Sequence, residues 1–369
     1  MARGSRHHRQ PLKRLAGLFE GTLNMPDMQT RLEFLRAPGA YGQAGVAVEC
    51  IETHMSWLFL VGERVFKLKK PVCFPFLDFR TLQAREFYCR EEVRLNARMA
   101  PGVYLGLAAL QWHGGAFALV QQAPLPAPAD TIDWLVAMRR LPLEQTLLQR
   151  IADQRVARHD IAPLVELLAA FYQTARPSPV TGSDYVAGFQ RAQRFNRTVL
   201  LHPPFQLRQA AAAIERLDAA LALGTDLLRE RASCQRIVDG HGDLRPDHVF
   251  LLHPPVVIDC LEFNPALRQV DPFDELAHLG LECEMAGAPW LGPCLQGELA
   301  QALRDDPHPA LAHLYTTHRA LLRARLAVAH LLDRHPRTPE KWQPLAERYL
   351  ARALVAAEAF TSAMRHGSP

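Results

Sequence analysis

The chain has no apolar run near the 18 residues that a membrane-spanning helix needs, and no apolar signal segment follows its basic N-terminus. No two of its seven cysteines have C-x-x-C spacing, which argues against a zinc ribbon, a redox motif or a secreted disulfide framework. No internal repeat is visible either. We therefore expect a cytoplasmic protein whose cysteines are small core residues in a reducing environment.

Outside the N-terminus, positive and negative charges are nearly balanced. The 369 residues hold 42 Lys and Arg against 38 Asp and Glu, a net charge of +4, and residues 1–14 carry five basic residues and no acidic one. The rest lacks the clustered basic face of a nucleic-acid-binding protein. We predict a flexible basic extension at residues 1–24, for which RNA or membrane contact stays open. For the folded part we expect no nucleic-acid partner and no membrane partner.

Apolar patterning predicts a β-rich first region at residues 25–141. Two β-rich runs, 57–61 and 64–69, are joined by Gly62-Glu63, which is typical of a hairpin. A stiff loop follows at the prolines of 124–128. The remaining patterns predict helices at 28–37 and 82–99, a strand beginning at 47–51, two strands within 103–122 and one at 134–141.

After Pro142 the pattern becomes helical. One β hairpin, at 249–258, interrupts the helices. The predicted fold is therefore α+β, with a small β-rich lobe, a large helical lobe at 142–369 and a cleft where the lobes join. Helices are predicted at 143–152, 159–174, 184–198, 206–230, 310–333 and 341–365.

The strongest candidate site is the run from His241 to His248 (HGDLRPDH), which a hairpin and Asp259 follow. It supplies a loop carboxylate at Asp243, a metal-capable side chain five residues later, and a second carboxylate at a strand end. Phosphoryl transfer needs one carboxylate for the acceptor hydroxyl and another that holds Mg²⁺ against the phosphates. The run therefore indicates phosphotransferase chemistry.

This run, together with Val257-Ile258-Asp259 and the segment 271–277 (DPFDELA), resembles the aminoglycoside phosphotransferase and choline-kinase-like branch of the protein-kinase-like superfamily. The motifs at 52–57 (ETHMSW), 66–71 (FKLKKP) and 138–142 (MRRLP) resemble those of a bacterial subgroup of that branch. The resemblance covers about residues 30–365. It implies a two-lobed protein-kinase-like fold, with ATP and Mg²⁺, or Mn²⁺, as cofactors.

The same resemblance implies residue roles. Asp243 is then the catalytic carboxylate and Asp259 a metal ligand. Lys67 grips the nucleotide phosphates, and Lys69, on the same face of the strand, is its alternative. The paired helix carboxylate is Glu92 or, as the alternative, Glu91. The other nucleotide contacts fall on the phosphate-loop residues Thr53, His54 and Ser56 and on the hinge residues Met138, Arg139 and Leu141.

Two departures from the branch bear on these roles. The phosphate loop has no glycine, so side-chain hydroxyls would replace close backbone approach. His248 stands where the branch has asparagine, and imidazole suits softer ions than Mg²⁺. Three interpretations stay open: His248 binds Mn²⁺ or a similar ion, it contacts phosphate, or Asp259 holds the metal alone. Glu262 is a further candidate oxygen ligand.

The surroundings of the loop carry further expectations. The His241 ring should bond backbone near Asp259, and Asp271 and Glu275 should hold the loop from beneath. Two charge groups on the acceptor side point to opposite substrates. The acidic group either favours a cationic acceptor or consists of acids that stabilise a helix N-terminus together with solvated positions, and the basic group favours an anionic acceptor if it faces the cleft. The acidic residues are Asp271, Asp274, Glu275, Glu282 and Glu284, and the basic ones are His318, Arg319 and Arg323.

The sequence thus predicts an ATP-dependent phosphotransferase that acts on a hydroxyl of a small molecule. The alternatives are a pseudokinase, which binds nucleotide as a regulatory module without turnover, and a nucleotidyl transferase on the same fold. The acceptor stays undefined, because such a fold serves enzymes with many substrates.

Overall fold

The computed structural model describes residues 25–43, 45–74, 77–121, 131–332 and 338–366. The predicted basic extension and proline loop lie outside these residues. A curled β-sheet forms the smaller lobe and helices form most of the larger one, so the predicted two-lobed α+β fold is confirmed.

The smaller lobe is built on a six-stranded antiparallel sheet. Its strands run in the order β1-β2-β3-β8-β6-β7, and Gly62, with φ of 55°, turns the predicted hairpin between β2 and β3. The strands of this lobe, including a separate short pair β4-β5, are β1 (Val48–Glu52), β2 (Ser56–Val61), β3 (Arg64–Lys69), β4 (Cys73–Phe74), β5 (Leu77–Asp78), β6 (Tyr104–His113), β7 (Ala116–Val120) and β8 (Thr131–Arg139).

Two helices belong to the smaller lobe, α1 (Met28–Leu35) and α2 (Leu82–Asn96). The Thr81 hydroxyl accepts a hydrogen bond from the amide of Ala84 and thereby caps the first turn of α2. This helix packs on β8 and β6. Its buried face includes Glu92, which consequently points toward the sheet and not toward solvent.

The larger lobe is mostly helical. The prediction of one helix over 206–230 is wrong, because two helices meet at Gly224, where a Cβ would lie 2.8 Å from Leu314 Cδ2. The helices are α3 (Leu147–Ala152), α4 (Ile161–Thr174), α5 (Gly182–Leu200), α6 (Ala210–Leu223), α7 (Thr225–Ser233), α8 (Pro272–Met285), α9 (Leu291–Leu303), α10 (Ala310–Ala329) and α11 (Pro339–His366).

Helices α8 and α9 have no counterpart among the predicted helices. Most residues of α8 are buried, polar and apolar alike. A helix enclosed on nearly every side shows no single apolar stripe, and the stripe is the signal that periodicity detects.

Two small β ladders position the candidate site. Strand β9 (Val238–Asp239) pairs with β12 (Gln269–Val270), and β10 (Val249–Phe250) pairs with β11 (Val256–Val257), the predicted hairpin. The segment 240–248 connects β9 to β10, and 258–268 connects β11 to β12. Both candidate carboxylates therefore lie on loops that connect one ladder to the other. In the described part of the chain, no helix is both long and apolar enough to cross a bilayer.

Candidate active site

The loop that carries Asp243 is fixed by a buried histidine. Nε2 of His241 donates to the carbonyl of Ile258 at 2.9 Å, and its Nδ1 accepts from the amide of Asp243 at 3.2 Å. The predicted bond to backbone beside Asp259 is confirmed. Burial, assisted by His248, lowers the pKa of His241 to about 4. The ring is thus neutral near pH 7, as these two hydrogen bonds require.

Glu275 supports the same loop from α8, as predicted. Its carboxylate accepts from the amides of His241 and Gly242 and from the hydroxyl of Tyr172. Burial raises the pKa of Glu275 despite these donors. Asp271 differs from the prediction, because it caps α8 and pairs with Arg231 and not with the loop.

Lys67 joins the two lobes at the cleft. Its Nζ lies 2.8 Å from Glu92 Oε1 and 2.9 Å from Asp259 Oδ1. Desolvation opposes the charged form of the lysine, but the carboxylates of Asp259 and Glu92 outweigh it and raise the pKa of Lys67 well above its usual value. Desolvation would also raise the pKa of Asp259, yet Lys67 and His248 hold it well below its usual range.

A second lysine shares the same glutamate. Lys69 Nζ lies 2.6 Å from Glu92 Oε2 and 2.5 Å from Glu262 Oε1. The Lys69 side chain is 1% exposed, whereas that of Lys67 is 16% exposed. Lys67 is therefore the more accessible of the two lysines. Glu262 is buried against Lys69, which opposes its predicted use as a metal ligand.

The alternative helix carboxylate, Glu91, lies elsewhere. It pairs with Arg94 on the outer side of α2, with Nη2 of the arginine 2.7 Å from its Oε2. The structure therefore brings Glu92 to the lysines and leaves Glu91 apart from them.

The two candidate carboxylates lie on either side of the His248 ring. Nε2 of His248 is 3.6 Å from Asp259 Oδ2, and its Nδ1 is 3.9 Å from Asp243 Oδ2. Asp259 has φ of 63°, in the left-handed region that non-glycine residues seldom adopt. Its side chain is 45% exposed and that of Asp243 29%, so both reach solvent in the cleft.

Hydrogen bonds of His248 occupy both ring nitrogens. The carbonyl of Asp243 accepts from Nδ1 at 2.9 Å, so Nε2 of the neutral ring is the acceptor, and Arg245 Nη2 lies 2.9 Å from it. That guanidinium takes the lone pair which a metal would need. Among the described residues, no group of three His, Cys, Asp or Glu is arranged to hold a metal. Both ring nitrogens of His248 are thus engaged by protein groups.

Arg245 is a site residue to which sequence reasoning gave no role. Its Nε lies 3.2 Å from Asp243 Oδ2 and its Nη2 2.9 Å from Asp247 Oδ2. The signal that could have found it is its position two residues after Asp243, inside the run already singled out. It places a permanent positive charge beside the candidate catalytic carboxylate.

The phosphate-loop residues form a tight turn between β1 and β2. The Thr53 hydroxyl donates to the carbonyl of Ser56 and accepts from its amide, so it is used within the turn. Ser56 is buried, and the exposed His54 ring stacks near Phe74. The predicted hydroxyl contacts to phosphate are therefore not supported, although Thr53 and His54 are both exposed in this turn.

The hinge residues continue β8 toward the larger lobe. Met138 packs against a buried apolar cluster that includes Trp134. Leu141 packs against a second cluster that includes Val256 of the hairpin region. The amide of Arg139 donates to the carbonyl of Val103. Leu141 therefore lies where the two lobes meet.

The charged groups of the acceptor side neutralise one another. Arg319 binds both oxygens of Asp274 at 2.7 and 2.6 Å, and Arg323 pairs with Glu282. Arg352 pairs with Glu284. Neither predicted surface exists as an unpaired set, so these residues favour neither a cationic nor an anionic acceptor.

Solved structures share this architecture. A choline/ethanolamine kinase family protein from Mesorhizobium loti matches with a TM-score of 0.51 at 14% identity, covering 92% of this chain and 99% of that one. A Plasmodium vivax ethanolamine kinase matches with a TM-score of 0.53 at 9% identity over 95% and 94%. A choline kinase from Cryptosporidium parvum matches with 0.51 at 10% over 91% and 97%. The chain thus has the protein-kinase-like fold in its choline-kinase-like form, as the sequence resemblance predicted.

Closer relatives by sequence come from mycobacteria. Uncharacterized proteins of Mycobacterium tuberculosis and Mycobacterium bovis are 32% identical to this chain over 286 residues, which is 76% of this chain and 54% of theirs. The chain therefore spans about half the length of these relatives. No family model matches the sequence.

Proposed function

We propose that the protein is an ATP-dependent phosphotransferase that acts on a hydroxyl of a small molecule. The observation that carries the proposal is the bridge by Lys67 between Glu92 of α2 and Asp259 of the opposite lobe. A lysine in the cleft that pairs with one carboxylate and lies beside a second can bind the nucleotide phosphates, as phosphoryl transfer requires. The neighbours that share the fold are named as kinases, which supports the same chemistry.

The residues of the cleft fit a nucleotide with its divalent ion. The Lys67 side chain is partly exposed, and Asp259 offers an ionised, half-exposed carboxylate beside its ammonium. Mg²⁺ or Mn²⁺ bound at Asp259 would neutralise phosphate charge. Leu141, between the lobes, would provide an apolar wall for adenine beside Met138 and Arg139.

The chain's own residues would divide the reaction as follows. Lys67 binds phosphate oxygens, and Glu92 keeps its ammonium in place. Asp243 orients the acceptor hydroxyl and takes its proton as the acceptor oxygen bonds to the γ-phosphorus and ADP departs. Arg245 holds the Asp243 carboxylate in position. Most of the rate enhancement would come from positioning and from charge neutralisation.

The test combines binding with turnover. We expect ATP with Mg²⁺ or Mn²⁺ to raise the melting temperature of the protein. We also expect a metabolite extract to stimulate ADP release by wild type, and Asp243→Asn to bind ATP within about threefold of wild type but release no ADP. Absence of any nucleotide-dependent thermal shift would contradict the proposal.

A second candidate is a pseudokinase that binds nucleotide without turnover. The occupied His248 ring favours it, because the usual second metal position is bonded to Arg245. ATP binding with no product from any metabolite extract would support this candidate. Product that disappears in Asp243→Asn would exclude it. Product mass separates phosphoryl from nucleotidyl transfer, because phosphate and AMP add different masses.

A further inference from the structure

A cavity of about 850 Å³ lies on the rear of the catalytic loop, away from the Lys67 cleft. It is bounded by the C-terminal part of α2, the end of α4 with the segment that follows it, and residues 265–269. We call it the rear pocket. Its charged lining residues are Glu91, Arg94, Arg98, Arg176, Asp239 and Arg268.

Positive charge exceeds negative charge in the rear pocket. Both oxygens of Glu91 bind Arg94. Asp239 serves two arginines at once, with Arg268 Nε at 2.7 Å and Arg98 Nη1 at 3.4 Å. Four guanidinium groups therefore face two carboxylates. An excess of two positive charges inside a concave surface concentrates anions from solution.

Several guanidinium donors in the pocket have no protein acceptor. Within the described ranges, Nη1 of Arg94, Nη2 of Arg268 and the guanidinium of Arg176 make no hydrogen bond to protein. Arg268 is 4% exposed and its other nitrogens are bonded, so its free donor is held in place. Preorganised guanidinium groups with open donors match the paired oxygens of phosphates and carboxylates.

The pocket is bonded directly to both functional loops. Arg98 donates to the backbone carbonyls of Asp239 and Gly240, which precede the Asp243 loop. Arg268 donates to the carbonyl of Leu261, two residues after Asp259. An occupant that binds these arginines would therefore contact the supports of both candidate carboxylates.

We propose that the rear pocket binds a small anion that carries phosphate or carboxylate groups, at a site separate from the nucleotide cleft. The proposal does not depend on the phosphotransferase activity. Its ligand class follows from the charge excess, the open guanidinium donors and the cavity volume together.

Isothermal titration calorimetry with pyrophosphate and, separately, with citrate tests this site. Wild type should bind at least one of them with millimolar or tighter affinity. The double variant Arg94→Ala/Arg176→Ala should weaken that binding at least tenfold and stay folded by circular dichroism, since both side chains are exposed. A matched pair outside the pocket, Arg194→Ala/Arg216→Ala, should bind within twofold of wild type, and a component of anion binding that does not depend on Lys67 should remain in the cleft variant Lys67→Met.

Three results would overturn the proposal. The first is that neither anion binds at 10 mM, about the weakest useful affinity. The second is that the control pair weakens binding as much as Arg94→Ala/Arg176→Ala does, and the third is that Lys67→Met abolishes binding. Binding of pyrophosphate alone would identify a phosphate ligand, and binding of citrate alone a carboxylate. Because none of these readouts uses turnover, failure of the phosphotransferase proposal would leave this test unaffected.

Discussion

Lys67 Nζ and Asp259 Oδ1 lie 2.9 Å apart, although 192 residues separate them in the chain. The contact joins a strand of the smaller lobe to a loop of the larger one. Lys69, two residues later on the same strand, makes the corresponding contact with Glu262. The two lysines share Glu92 but differ in exposure. We therefore expect Lys67 to contribute to nucleotide binding and Lys69 to the stability of the fold.

Replacement of each lysine should therefore give a different result. Lys67→Met leaves Glu92 paired with Lys69 and Asp259 in contact with solvent, so the free energy of unfolding should fall by no more than about 1 kcal/mol. Lys69→Met leaves Glu262 buried without its ammonium partner and should cost about 3–5 kcal/mol. Urea unfolding measures both. Equal losses in the two variants would contradict the assignment of separate roles.

The Lys67 and Lys69 variants should also differ in their affinity for nucleotide. Lys67→Met should weaken ATP binding at least tenfold, because the ammonium that we propose binds the nucleotide phosphates is lost. Titration calorimetry at a temperature where the protein is folded gives this value.

Asp259→Asn tests the metal site. The substitution keeps side-chain shape but removes the charge that a divalent ion needs. We expect ATP binding with Mg²⁺ to weaken at least tenfold, and ATP binding in EDTA to stay unchanged or tighten, because a negative charge near the phosphates is removed. Asp306→Asn, at an exposed position, is the control. Equal weakening with and without metal would count against metal binding at Asp259.

His241 should make stability depend on pH. Its folded pKa of about 4 lies below the ordinary value of 6.5, so the unfolded chain binds the proton first. Its contribution is fully present above pH 6.5 and is lost as pH falls toward 4, by about 3 kcal/mol between pH 7 and pH 4.

The measurement is urea unfolding at several pH values. His241→Gln should flatten the profile, and the exposed His113→Gln should leave it as in wild type. Part of the slope should survive in His241→Gln, because burial also lowers the pKa of His318 to about 4. A profile that is the same in His241→Gln and wild type would show that the ring is not the buried neutral group seen here.

Gly240 should resist substitution. A Cβ there would lie 2.4 Å from Val270 Cγ2 and 2.7 Å from Glu275 Oε2, so Gly240→Ala should displace the support of the Asp243 loop and cost about 1–3 kcal/mol. Gly297→Ala, inside α9 with no heavy atom within 4 Å of the added Cβ, should stabilise by up to about 1 kcal/mol. Thermal unfolding of both variants measures these changes in stability. A Gly240→Ala variant as stable as wild type would refute the steric argument.

Local signals predicted the hairpins and the spacing of the functional loops. Gly62-Glu63 and the β-rich runs beside it place Lys67 on its strand without knowledge of the rest of the chain. The run from His241 to His248 likewise identifies the loop, because its residue types have few other uses at that spacing. The two-lobed fold followed from the change of pattern after Pro142.

Long-range pairing could not be predicted in the same way. Nothing local indicates that Glu262 meets Lys69, or that Arg319 and Asp274 neutralise each other, because each partner looks like an ordinary surface charge in its own segment. The break at Gly224 depends on Leu314, which is 90 residues away. These features are fixed by tertiary packing, which overrides local propensity.

The buried contact between Lys69 and Glu262 also limits how the cleft moves. This ion pair connects β3 to the segment that follows β11, and both side chains are buried. Separation of the two lobes at this point would leave two buried charges without partners. Such a separation costs several kcal/mol, whereas movement of the exposed turn that carries His54 separates no buried ion pair among the described residues. We therefore expect ligand entry and release to widen only the outer rim, while the inner end of the cleft stays closed.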